Sequence, residues 1–171
     1  MHTFFCMFDS KRKLTIWKSR TCYEIGMLLN EKKQFLESEI VSRQAMTLSK
    51  QIVTEVDNGE HGDERDSLLE HWVASQMLVA VVIASPSIQK YEEALGLLKH
   101  VRDWVVLRDA TDEIRKKYQQ PITTLTEKII RAFIRHQKDK NTQTTQKNTH
   151  NNTTSNSDKN SSNDNSFLTP D

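Results

Sequence analysis

Only four glycines and three prolines punctuate this chain of 171 residues. Glycine supplies the positive-φ positions, and proline the fixed-φ positions, on which tight hairpins, phosphate-cradling loops and bladed β repeats depend. A chain so poor in both favours long uninterrupted helices. The length fits one domain or two small ones. Hydrophobic residues make up 36%, below the roughly 45–50% apolar share usual in globular chains. Part of the chain must therefore stay out of the core.

That part begins at residue 139. Of the 33 residues from Asp139 to Asp171, 20 are Asn, Thr or Ser, and the only large apolar ones are Phe167 and Leu168. Such a segment cannot bury enough surface to offset the entropy of ordering, so it is expected to be disordered. The two cysteines, Cys6 and Cys22, are too few for a disulfide framework and fit reduced thiols in a cytoplasmic protein. The longest apolar run, Met77–Ala84, has eight residues. A membrane span needs about 20, so a core helix segment is the expectation.

Helical periodicity covers the rest. Ile25, Leu29, Leu36, Ile40, Leu48, Ile52 and Val56 fall on one stripe, predicting a single long helix over about 23–57. Asn58-Gly59 and Gly62 supply the turn residues that end it. A second helix is expected over 66–84, with Ser67 and Glu70 at capping-box spacing. Leu68, Leu69, Trp72, Val73, Met77, Ala80, Val81 and Ala84 cover most of its circumference, which places it in the middle of a bundle. Ser85-Pro86 reads as a cap followed by a first-turn proline, opening a third helix over 86–118 that is either continuous or broken near 109–111. Pro121 opens a fourth over 121–138 with Ile122, Leu125, Ile129 and Phe133 as its stripe. The first twenty residues fit a hairpin around Asp9–Arg12 or a short helix. The expected fold is thus all-α, a bundle of four main helices. Its expected organisation is a basic, aromatic segment (1–20), a helical bundle domain (21–138) and an Asn/Thr/Ser-rich tail (139–171).

No catalytic template is present in the sequence. The six histidines include no i, i+4 pair and there is no Cys-x-x-Cys, so zinc templates fail. The acidic connector Asp57–Asp63 begins like a calcium loop, but Leu68 stands where a bidentate Glu is required. His71, beside Trp72, reads as a satisfied core or rim histidine. The expectation is a non-enzymatic protein without metal or cofactor.

Charge is more informative. Residues 55–70 carry seven acids against Arg65, and residues 115–140 carry eight bases against Glu127 and Asp139. Arg115, Lys116, Lys117, Lys128, Arg131, Arg135 and Lys138 are the candidate surface for an anionic partner: an acidic protein, an anionic membrane or RNA. The alternative is a solvated face docked near the acidic connector. Phe4, Phe5 and Phe8, joined to Lys11, Arg12 and Lys13 with Trp17 beyond, form a candidate interfacial segment. The alternative is that these aromatics cap the core.

The run Met27–Ile40, MLLNEKKQFLESEI, resembles the first-helix pattern L-x-x-K-K-Q-x-L-E-x-x-I of ESCRT-III (charged multivesicular body) proteins. The resemblance implies a helical protein that remodels membranes behind a short membrane-inserting N-terminus. Two regions depart from that family: its second helix is strongly basic where Leu68–Ala84 is apolar, and its tail is acidic where this one is rich in Asn, Thr and Ser. No site residue carries over. The functional expectation is a cytoplasmic adaptor or accessory protein that binds a protein partner. Peripheral membrane association or remodelling, RNA binding through the basic last helix, and homo-oligomerisation stand beside it.

Overall fold

The computed structural model describes residues 2–57, 64–107 and 112–154, with side chains over 10–54, 65–106 and 112–142. The helices are α1 (His2–Glu31), α2 (Phe35–Asp57), α3 (Glu64–Ile83), α4 (Tyr91–Leu107) and α5 (Asp112–Thr154). No strand occurs among the described residues, so the protein is an all-α helical bundle, as expected. Contacts divide the chain into two units, Met1–Arg131 and Ala132–Asp171. The first holds α1 to α4 and the Asp112–Arg131 part of α5.

The apolar helix is the centre of the first unit. On α3, Leu68, Leu69, Trp72, Val73, Leu78, Val79, Ala80, Val82 and Ile83 are all buried. Trp72 meets the edge of Trp104 at 5.0 Å between ring centres. It sits in a cluster with Val53 of α2, Val101 and Val105 of α4, and Ile114 and Ile122 of α5. By length and composition Arg65–Ile83 would also suffice to cross a membrane, but 61% of it is buried inside the protein, as a core helix requires.

Small residues line much of the contact between α1 and α2. Ser38, Ser42, Ala45 and Ser49 on α2 are buried, as is Ser19 on α1. Their spacing of 4, 3 and 4 puts the α2 residues on one face. Ser38 Oγ donates to the Gly26 carbonyl at 2.8 Å, and Ser19 Oγ donates to the Ala45 carbonyl at 3.1 Å. A Cβ on Gly26 would collide with Ser42 Oγ and lie 3.3 Å from Leu78 Cδ2. Glycine there permits the two backbones to approach.

Several sequence expectations are corrected. The predicted helix over 23–57 is two helices. Gln34 N–H reaches back to the Leu29 carbonyl at 2.9 Å, and Lys33 N–H to that of Asn30 at 3.0 Å. Lys33 takes φ 59°. This is the Schellman ending of α1, and the Gln34 carbonyl then accepts from Ser38 N–H at 2.9 Å to start α2. Leu36 and Ile40, read as core, are 64% and 70% exposed, because the serine face is turned to α1 instead. Of the two N-terminal alternatives the helix is the one found, but it is long where a short one was expected: α1 runs without a break from His2 to Glu31.

Pro86 does not open a helix. The Ser85 carbonyl accepts from Ile88 and Gln89 N–H at 3.1 and 2.9 Å, closing a turn, and α4 starts at Tyr91. Nor does Pro121 open one, since it lies inside α5. The ring is exposed, so the Lys117 carbonyl that it leaves without an N–H can face water. The expected break near 109–111 lies outside the described residues. So does most of the acidic connector, with residues 58–63. Helix α5 continues through Thr154 instead of ending at 138. Each added residue of an established helix gains a backbone hydrogen bond, so a polar extension is cheap once nucleated. Residues 155–171 of the expected disordered tail lie outside the described residues.

An ion network ties the start of α4 to α2. Glu39 accepts from Lys90 at 2.7 Å and from Arg43 at 2.9 Å, and Arg43 reaches Glu93 at 2.7 Å. Burial pushes the Glu39 carboxyl up, but the bonds from Lys90 and Arg43 outweigh it and hold the group below its ordinary value.

Two substitutions test this packing. Trp72→Ala is expected to cost about 3–5 kcal/mol in urea unfolding, through lost burial and the cavity left behind. Gly26→Leu is expected to cost about 1–3 kcal/mol by wedging α1 from α2. Wild-type stability in the second variant would show that the seam is not tight.

Candidate interaction surface

Helix α1 sorts the N-terminal candidates onto different sides. On the inner side, Ile16 packs on Ile52 and Leu68, and Ser19 and Gly26 are buried. Arg12, one of the candidates, also leans inward. It is partly buried, and its Nε and Nη2 are buried without a hydrogen-bond partner. On the outer side, Trp17 is 65% exposed, Leu28 55%, Leu14 49% and Ile25 43%. Lys11 and Lys13 are exposed beside them. Phe4, Phe5 and Phe8 lie within α1, and their side chains fall outside the described residues.

The outer residues follow helical geometry. From Leu14 the steps are 3 to Trp17, 4 to Thr21, 4 to Ile25 and 3 to Leu28, which keeps all five on one face. Thr21 Oγ1 donates to the Trp17 carbonyl at 3.0 Å, so even the polar member of the stripe turns its hydroxyl to the backbone. The sequence pattern singled out Trp17. It missed Leu14 and Leu28, and it assigned Ile25 to the core.

Among the α5 candidates, three engage acidic neighbours. Lys117 Nζ lies 2.6 Å from Glu70 Oε2 on α3, and 5.5 Å from the Tyr118 ring centre. Arg115 pairs with Asp112 at 3.0 Å and reaches the Val105 carbonyl at 3.4 Å. Arg131 pairs with Glu127 at 3.2 Å. Lys116 and Lys128 are exposed in the first unit, and Arg135 and Lys138 in the second. The capping box expected of Ser67 and Glu70 is not formed. Ser67 accepts from Arg20 at 3.2 Å, while Glu70 is held by Lys117.

One pair has the atoms of a nucleophile and its base. Ser19 Oγ lies 2.9 Å from His71 Nε2, and the Tyr23 ring meets His71 edge-on at 5.5 Å. A catalytic serine would give its proton to the imidazole. Here the Ser19 proton goes to the Ala45 carbonyl, so His71 Nε2 is the donor. Ser19 is also 0% exposed, closed to any substrate. The arrangement is a strut joining α1, α2 and α3. Burial, then the nearby Arg20 charge, pushes the His71 imidazole below its ordinary value. Among the described residues no group of three or more His, Cys, Asp or Glu is placed to hold a metal ion.

Fold and surface thus define an all-α bundle with an outward apolar helix face. Comparison with protein-family models, curated proteins and solved structures finds no match.

The histidine strut carries a pH prediction. The folded state resists the proton that the unfolded imidazole accepts, so the contribution of His71 is fully present above its ordinary pKa of 6.5. It is lost as pH falls through that value toward the depressed folded one. The melting temperature is expected to drop from pH 7.5 to 5.5, and His71→Gln to flatten that drop. Parallel curves for the two proteins would remove His71 as the cause. Glu39, with its own lowered pKa, acts further down, below its ordinary value of 4.5.

Proposed function

We propose that the protein is a non-catalytic adaptor or accessory module that binds another protein chain through the outer face of α1. The observation that carries this reading is Trp17, 65% exposed on a helix whose inner side sets the small residues Ser19 and Gly26 beside Ile16. A helix that served only its own bundle would bury its large apolar residues and expose its small polar ones. Helix α1 instead leaves Leu14, Trp17, Ile25 and Leu28 largely exposed while Ser19 is buried. Exposed Trp is also the residue type that most often anchors an interface, and Leu14, Ile25 and Leu28 extend it along the helix.

A second reading has its own support. Lys11 and Lys18 are exposed on α1 near the same stripe, a pattern that suits an anionic membrane surface. The RNA reading draws on Lys116 and Lys128. It is weaker, because Arg115, Lys117 and Arg131 already face acidic partners.

Trp17→Glu is expected to abolish capture of a protein partner while leaving the melting temperature nearly unchanged. Substitutions of exposed side chains usually shift stability by less than about 0.5 kcal/mol. Undiminished capture by the variant would remove the α1 face from the function. Loss of binding to phosphatidylserine vesicles, with protein capture intact, would favour the membrane reading.

A further inference from the structure

We propose that the chain which the outer face of α1 receives is a second copy of itself, in an antiparallel dimer centred on Thr21. This rests on the protein-binding reading of the same face and names its partner.

The argument is a symmetry in the residues. The apolar stripe Leu14, Trp17, Thr21, Ile25, Leu28 has steps of 3, 4, 4 and 3, which read the same in both directions. A two-fold axis at Thr21 therefore sets Leu14 level with Leu28 of the other copy, and Trp17 level with Ile25. A two-fold interface must be self-complementary in this way, with each residue pairing reciprocally.

The charges invert in sign about nearly the same centre, residue 22. Lys13, Arg20, Glu24 and Glu31 are all exposed and follow steps of 7, 4 and 7. At about 100° per residue these four form one column along an edge of the stripe. The first two are basic and the last two acidic. Every charged residue from Lys11 to Arg20 is basic, and every one from Thr21 to Glu31 is acidic. Antiparallel pairing lays the basic half of each helix along the acidic half of the other. Parallel pairing would oppose like charges and is disfavoured.

The available surface sets the strength. Leu14 to Leu28 spans about 21 Å of helix, so a single helix pair buries less than the roughly 800 Å² per partner of a standard interface. The dimer is accordingly concentration-dependent.

The full-length chain is measured by sedimentation velocity over a wide concentration range. The wild type is expected to rise from monomer to dimer mass as concentration increases. Trp17→Glu is expected to stay monomeric with an unchanged melting temperature. With the axis at Thr21, Glu31 of one copy stands two residues, about 3 Å along the helix, from Lys13 of the other, so Glu31→Lys brings two bases within reach and is expected to weaken the dimer at least tenfold. Adding Lys13→Glu to the same chain is expected to restore it. A wild type that stays monomeric at every concentration would overturn the proposal. So would a dimer indifferent to Trp17→Glu, or one for which Glu31→Lys and the double variant behave alike. A monomer that sediments with phosphatidylserine vesicles identifies lipid as the occupant and also overturns it. A monomer that captures a different protein only when Trp17 is present overturns the self-pairing and leaves the protein-binding reading standing. If Trp17→Glu changes none of these measurements, both fall.

Discussion

A helix that is apolar on every side must be covered on every side. Helix α3 imposes that condition on the first unit. Fully burying one of its large aliphatic or aromatic side chains contributes about 1.5–3 kcal/mol, and nine of its apolar residues from Leu68 to Ile83 are buried. No single neighbour can cover such a helix. Val53 of α2, Val101 and Val105 of α4, and Ile114 and Ile122 of α5 each contribute to the same cluster around Trp72 and Val73. Ser75, which shares this interior, donates its hydroxyl to the His71 carbonyl at 2.8 Å, which offsets the cost of burying it.

The second constraint is the closeness of α1 to α2. Serines buried at the seam replace the usual leucine contacts. Their hydroxyls bond to backbone carbonyls, as Ser38 does to Gly26 and Ser19 to Ala45. Ser42 is the exception, its Oγ buried without a partner and pressed against the place where a Gly26 Cβ would stand. Close approach gains dispersion contacts between backbones at the expense of that one hydroxyl. The Schellman turn at Lys33 makes the seam possible, because it returns α2 directly along α1 with only residues 32–34 between the helices.

The central position of α3 was legible because all-round apolarity does not depend on register. The interior of α2 was not. Its large residues Leu36 and Ile40 continue the phase of Ile25 and Leu29, so periodicity favoured one long helix. The turn that breaks it has Lys33 at φ 59°, where glycine or asparagine is the usual signal. The same break falls inside the Met27–Ile40 run, so the resemblance of that run to a single ESCRT-III helix does not extend to its structure. Both prolines were read by their common roles. Pro86 instead sits in a turn closed by the Ser85 carbonyl, and Pro121 rides on the exposed side of α5. The first was decided by local backbone bonds from Ile88 and Gln89 to Ser85, the second by the exposure of the ring on a continuous helix. Of the surface candidates, Trp17 was legible as an aromatic beside lysines. The inward lean of Arg12 required the packing of Ile16 on Ile52 and Leu68.

The seam and the outer face of α1 have one cause. Gly26 and Ser19 occupy the inner side because only small residues let α2 approach so closely. Four large apolar residues of the same helix, Leu14, Trp17, Ile25 and Leu28, are left largely exposed on the outer side. Burial of these side chains would be worth several kcal/mol in total, and that stabilisation is unused in the single chain. Solubility alone would favour polar residues at Leu14, Trp17, Ile25 and Leu28, whose surface is 43–65% exposed. The proposed pairing would cover that exposed apolar surface. The sign change along its length, from Lys11 through Arg20 to Glu24 and Glu31, restricts what can complete it. A uniformly acidic surface matches only the first half. A ligand that matches both halves must itself change sign in the opposite direction, and α1 reversed does so.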